Sequence, residues 1–100
     1  MTELNQRNVE KTLSKIIHPE INYSLVDLGM IEDVVCKQKH VSLTLKLPIL
    51  QVPVRDILIE SIKKAFSDMD SSIQVEINIE QMAQEQRDKF AKMAKEGWKF

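Results

Sequence analysis

The chain has 100 residues, 43% of them apolar and 29% charged, with a formal net charge of −1. That length supports one core and not two, and the near-neutral balance gives no long-range pull on nucleic acid or an anionic membrane. No apolar run approaches the ~18 residues that cross a bilayer, Met1–Gln6 lacks the basic flank and apolar centre of a secretory signal, and Cys36 has no second cysteine to pair with, so a reducing cytoplasm is the expected location.

Val9, Leu13, Ile16 and Ile17 recur at helical spacing, which predicts a first helix over Glu3 to Ile17 with Thr2 or Asn5 as its cap. His18 precedes Pro19, and a residue before proline is driven out of the helical region, so the helix should end there. The connecting segment that follows holds Gly29. A glycine alone in such a stretch implies either a backbone angle or a close contact that a Cβ would forbid. Met30–Lys37 is the expected first strand, with Met30, Val34 and Cys36 on one face and Glu32 interrupting the alternation. Lys37–His40 is the expected hairpin turn.

The central unit is the clearest. Val41, Leu43, Leu45 and Leu47 alternate with Ser42, Thr44 and Lys46, the period of a half-buried strand. A loop over Pro48–Pro53 leads into a helix over Val54 to Phe66, with Val54, Ile57, Leu58, Ile62, Ala65 and Phe66 on a wide apolar face and Pro53 suited to its first turn. In an open sheet, a strand, a short loop and a helix N-terminus form a natural binding corner. Ile73, Val75, Ile77 and Ile79 then alternate with Gln74, Glu76 and Asn78 as a third strand, and the strand–helix–strand order calls for a right-handed crossover to a parallel partner.

Asn78 followed by Gln81 resembles a capping box opening a last helix. That helix carries a thin stripe of Met82, Gln86, Phe90, Met93 and Ala94, should end at Gly97, and leaves Trp98 and Phe100 beyond it. So narrow a stripe depends on packing, either on its own sheet or on a second copy in a homodimer. Arg87, Lys89, Lys92 and Lys95 are diluted by Glu85, Asp88 and Glu96, a solvated face with intrahelical ion pairs rather than a nucleic-acid or membrane surface. The expected fold is α+β: a small three-stranded mixed sheet covered by helices, order α-β-β-α-β-α. Residues 1–79 would form the domain and 80–100 a C-terminal helical extension.

His18-Pro19-Glu20-Ile21, followed by Asp27-Leu28-Gly29-Met30-Ile31-Glu32-Asp33-Val34 at the entry to the first strand, resembles a known family. It is similar to the iron–sulfur cluster assembly domain of SufT and PaaD proteins and of the N-terminus of Mrp/ApbC-type P-loop carriers, over about residues 8 to 79. Members read Asp-Pro-Glu-Leu, then Leu-Gly-Leu-Val/Ile, and carry a Thr-x-x-Pro-x-Cys-Pro loop before the central helix. The tail spacing Phe-x-x-Met-x-x-x-x-Trp from Phe90 is similar to the extension of some stand-alone members. This chain departs at three places. His18 stands at the aspartate, Leu47 near the threonine, and Val52 at the reactive cysteine, in a longer loop that keeps Pro48 and Pro53. Valine has no thiolate with which to ligate iron or carry sulfur.

The resemblance implies an accessory factor in iron–sulfur cluster assembly or metalloprotein maturation. It would act through contacts with assembly or client proteins rather than by catalysis, with no cofactor of its own. The implied surface combines His18, Glu20, Asp27 and Gly29 with Ile49, Leu50, Gln51 and Val52. The alternative is a structural or regulatory interaction module that kept the fold and lost the metal–sulfur chemistry. Each site residue also has a plainer reading. Glu20 and Asp27 cap turns, Cys36 is a small core residue, and the apolar loop either meets a partner or folds back over the core edge. His18 and His40 lack ligand-type spacing. No Ser-His-Asp, Cys-His, paired-carboxylate or glycine-rich phosphate signature occurs, which leaves only His18 and Glu20 as a conceivable acid–base pair.

Overall fold

The computed structural model describes residues 4–50 and 53–99. Asn5 has extended backbone and its side chain accepts from the Asn8 N–H at 2.8 Å, which opens helix α1, Gln6–Ser14. The helix stops before the expected Ile17. Lys15 and Ile16 donate to the Thr12 and Leu13 carbonyls in tighter three-residue steps, and Ile17 is taken up by a bridge to Ser24. The chain leaves the helix to pair with its own next turn, before Pro19 exerts any effect.

Strand β1, Ile31–Lys37, pairs antiparallel with β2, His40–Leu47, and β2 pairs in parallel with β3, Gln74–Gln81; the sheet order is β1-β2-β3. Met30 is buried but lies outside the strand. The interruption read at Glu32 is a slip in the ladder. Glu32 opposes Thr44 and Val35 opposes Ser42, so β1 carries one extra residue, and Asp33 takes a left-handed φ of 53°. The bulge shifts the alternation, so that Ile31 as well as Val34 and Cys36 pack against the core while Val35 is exposed. Gln38, with φ 53°, makes the two-residue turn between the paired Lys37 and His40. Gly29 has φ +74° and open space where a Cβ would stand, so of its two readings the backbone angle holds.

Helix α2, Arg55–Met69, crosses between the parallel strands. Leu58, Ile62 and Phe66, four residues apart, are fully buried. Ile57, assigned to the apolar face from its spacing, is 51% exposed because it lies off that row. Helix α3, Gln84–Gly97, begins later than expected, since β3 stays in the ladder through Glu80 and Gln81. Asn78 is therefore a strand residue, and the helix start is held by the Gln86 side chain, whose Oε1 accepts from the Ala83 N–H at 3.4 Å.

The core lies between one sheet face and α1 and α2. Val41, Leu43, Leu45 and Leu47 of β2 meet Val9 and Leu13 from α1 and the buried row of α2, each at 1% exposure or less. Full burial of such a side chain is worth about 1.5–3 kcal/mol. The opposite sheet face is polar: Lys46 Nζ lies 3.1 Å from Glu80 and 3.6 Å from Glu32, so one ammonium ties all three strands.

The hairpin turn is tied to the turn after α2. Lys39 Nζ lies 3.2 Å from Asp70, and Asp70 Oδ1 accepts from the Ser72 N–H and hydroxyl at 2.9 and 2.7 Å. These bonds, those of Ser72 first, hold the Asp70 carboxyl down at about 2. Its native value lies below its unfolded one, so its contribution is complete above about pH 4 and is lost as pH falls through 2. Asp70→Asn should therefore remove part of the acid sensitivity of urea unfolding between pH 4 and 2. Gly29→Ala should destabilise by about 1–2 kcal/mol, the cost of a left-handed alanine, measured by urea denaturation.

Candidate functional site

The ends of β1 and β2 open on a cavity of about 380 Å³. Four stretches wall it: His18, Glu20 and Ile21; Met30 and Leu47 at the strand ends; Pro48, Pro53 and Val54 leading into α2; and Phe90, Ala94 and Trp98 from the tail. The sequence places a binding corner here, between strand, loop and helix. The tail wall was not foreseen: Phe90 and Ala94, four apart, share a row of α3, but Trp98 has left the helix for extended backbone and reaches the cavity through its bridge to Ile21.

His18 is 3% exposed. Its Nδ1 accepts from the Glu20 N–H at 3.0 Å, and its own N–H donates to the Tyr23 carbonyl. The cap of this turn is the imidazole, not the Glu20 carboxylate. An Nδ1 that accepts leaves the ring proton on Nε2. Burial lowers the pKa of His18, Glu20 opposes that and Lys99 adds to it, so the ring is neutral at pH 7. A buried neutral imidazole amid leucine, methionine and proline offers one polar atom in a largely hydrocarbon space, the character of a recognition pocket.

The tail is latched to this corner by backbone. The Gly97 carbonyl accepts from the Asn22 N–H at 2.6 Å, the Lys99 N–H donates to the Glu20 carbonyl at 3.1 Å, and Ile21 bridges Trp98. Gly97 is the last residue of α3 and its neighbour is close. A Cβ there would sit 2.7 Å from the Tyr23 ring. Phe90, Met93 and Ala94 pack on the core.

The structure divides the residues that the sequence grouped together. His18 and Glu20 line the cavity, whereas Asp27 and Gly29 line a separate shallow cleft with Gln86, Lys89 and Met93. Asp27 donates its N–H to Ser24 Oγ at 3.0 Å, so Ser24 caps that turn. Ile49 and Leu50 are 59% and 41% exposed beside the cavity mouth formed by Pro48 and Pro53. Gln51 and Val52 lie outside the described residues. His40 is exposed at the far end of β2, its Nε2 3.5 Å from Glu76.

A cluster handled at this corner would need thiolates, the usual cluster ligands. Cys36 is half-buried six residues along from Met30, about 20 Å at the rise of a strand. Burial pushes its thiol pKa up, away from the reactive thiolate. Among the described residues no three His, Cys, Asp or Glu side chains converge as a metal site, and no helix is long and apolar enough to cross a membrane.

A three-stranded mixed sheet with a helical crossover and a corner cavity defines a small α+β domain built to present one end of its sheet. The chain belongs to the iron–sulfur cluster assembly protein family, whose profile matches residues 6–79. It is 27% identical over 96 residues to the Fe-S protein maturation auxiliary factor YitW of Bacillus subtilis (strain 168), covering 95% of this chain and 94% of that one. It is 28% identical over 85 residues to the iron-sulfur cluster carrier protein of Mycobacterium leprae (strain TN), 84% of this chain but 22% of that longer protein. A crystal structure of the domain of unknown function DUF59 from Bacillus anthracis shares the fold, with a TM-score of 0.70 and 20% identity over 90% of this chain and 87% of its own. The family match ends at residue 79, so the tail wall of the cavity lies outside it.

Gly97→Ala should pry the tail from Tyr23, at the ~1–3 kcal/mol typical of overpacking. Hydrogen exchange should then quicken roughly tenfold or more at the Asn22 and Lys99 amides, with the amides of β2 unchanged.

Proposed function

We propose that this chain is an auxiliary factor in iron–sulfur protein maturation that works by binding a partner protein and is not an enzyme. The observation that carries the reading is the chemistry of the corner cavity. Its lining is largely hydrocarbon, its one imidazole is neutral and engaged with backbone at Nδ1, and the chain's single thiol is at the other end of β1. Val52 stands where the resemblance puts a cysteine. The corner then holds an apolar anchor of an assembly or client protein, with exposed Ile49 and Leu50 extending the contact. The names of its relatives, a maturation auxiliary factor and a cluster carrier, favour this pathway.

Anaerobic reconstitution should leave the purified chain without a stable cluster. Anaerobic capture from native lysate should recover iron–sulfur assembly or client proteins, and Ala94→Trp, which fills the cavity, should weaken that capture about tenfold, the loss expected when a central anchor is excluded. Stoichiometric iron and sulfide abolished by Cys36→Ser would overturn the reading. So would capture of only an unrelated complex, the outcome expected of a module that had left the pathway.

A further inference from the structure

The two edges of the sheet are treated differently. β1 is closed to further pairing by two devices. Its bulge breaks the ladder at Asp33, and the Gln6 side chain lies along the free backbone: Nε2 donates to the Val34 carbonyl at 2.7 Å and Oε1 accepts from the Cys36 N–H at 3.2 Å. A side-chain amide there stands in for the missing strand. β3 carries no such protection. It is eight residues long, pairs with β2 without a register shift, and contains no proline, glycine or lysine.

The orientation of the free groups on β3 follows from its ends. Gln74 donates its N–H to the Lys39 carbonyl at 2.8 Å and Met82 donates to the Leu47 carbonyl at 2.7 Å. With a period of two, the even residues turn toward β2, and Val75, Ile77, Ile79 and Gln81 aim N–H and C=O away from the sheet. No strand among the described residues receives them. The side chains of Val75, Ile77 and Ile79 are also only half-buried, unlike their fully buried partners Val41, Leu43 and Leu45.

We propose that β3 is a pairing edge whose partner is β3 of a second copy of this chain, joined antiparallel about a two-fold axis at Ile77. The partner is assigned from the strand's own pattern. A two-fold at Ile77 sets Ile77 against itself and Val75 against Ile79 as hydrogen-bonded pairs, matching the outward groups. On the polar face it sets Glu76 against Asn78 and Glu80 against Gln74. Moving the axis one residue either way places glutamate directly against glutamate: Glu76 faces itself about residue 76, and Glu80 faces Glu76 about residue 78. Like charges directly opposite destabilise a strand pair, so charge selects the central register over its two neighbours, and an axis two residues away runs off one end of the eight-residue strand and loses ladder pairs. Both carboxylates are also drawn back toward β2, Glu76 to His40 at 3.5 Å and Glu80 to Lys46 at 3.1 Å. The product is a continuous six-stranded sheet with a corner cavity on each copy, and it does not involve the tail.

Sedimentation velocity and light scattering across micromolar to millimolar concentrations test this. The expected result is a particle of twice 11.6 kDa in equilibrium with monomer. Asn78→Glu puts a glutamate against each Glu76 on the exposed face and should weaken the dimer about tenfold through two like-charge pairs. Glu76→Lys added to Asn78→Glu creates two opposite-charge pairs and should restore it. Hydrogen exchange on the unaltered chain gives a readout independent of variant folding: the Val75, Ile77 and Ile79 amides should gain protection with concentration. A monomer at all concentrations, a dimer indifferent to Asn78→Glu, or no concentration dependence at those amides would each overturn the proposal. So would a monomer whose β3 amides are protected only by another protein.

Discussion

Four alternate side chains on β2 carry the structure. Val41, Leu43, Leu45 and Leu47 lie at 1% exposure or less, with β1 on one side, β3 on the other and the row Leu58, Ile62 and Phe66 above. A strand flanked on both sides cannot slip by one residue without turning all four leucine and valine side chains into water, so this strand fixes the register of its neighbours. The bulge in β1 is tolerated because it falls in the outer strand, where the extra residue can bow away from the sheet. The polar face obeys the same geometry, with Lys46 at the centre answering a carboxylate on either side.

The cavity is what remains where that row of side chains runs out. Leu47 is the last of the four, and beyond it the chain turns through Pro48 toward α2 while Met30 enters β1 alongside. Among the described residues neither α1 nor α2 contributes to the lining, and the tail supplies the remaining wall. Phe90, Ala94 and Trp98 supply hydrocarbon, and the backbone pairing of Ile21 with Trp98 fixes their position. A site shared between the matched region and its extension has a consequence for relatives. A domain with the same sheet and a different tail would present a differently shaped corner, since one wall would change while the strand ends stayed put.

The sheet edges complete this division of labour. One is blocked by a bulge and a glutamine amide, and the other is left regular and bare. Edge strands left open invite pairing with any extended segment. A fold that closes one edge with a side chain from its own first helix turn, and leaves the other with its apolar residues half-covered, presents a preferred direction for growth.

The amino-acid sequence by itself determined the elements and their order. The alternation of β2 and β3, the four-residue row of α2 and the glycine at position 29 are local patterns, each set by a period or a backbone angle that a short stretch encodes. The His-Pro-Glu and Asp-Leu-Gly segments at their spacing were enough to place the chain in its family. Tertiary structure decided what depends on distant residues meeting. It decided where α1 ends, since Ile17 leaves the helix to pair with Ser24. It decided how far β3 continues, since Gln81 still has Leu47 to pair with, and that His18 and Glu20 share a space with Trp98 and not with Asp27 and Gly29. It also gave Gly97, where α3 ends as expected, a second role as a contact glycine, because the ring of Tyr23, 74 positions earlier in the chain, occupies the place of its Cβ. Periodicity reports which side of an element is apolar. Which distant residue that side meets is fixed only when the chain closes on itself.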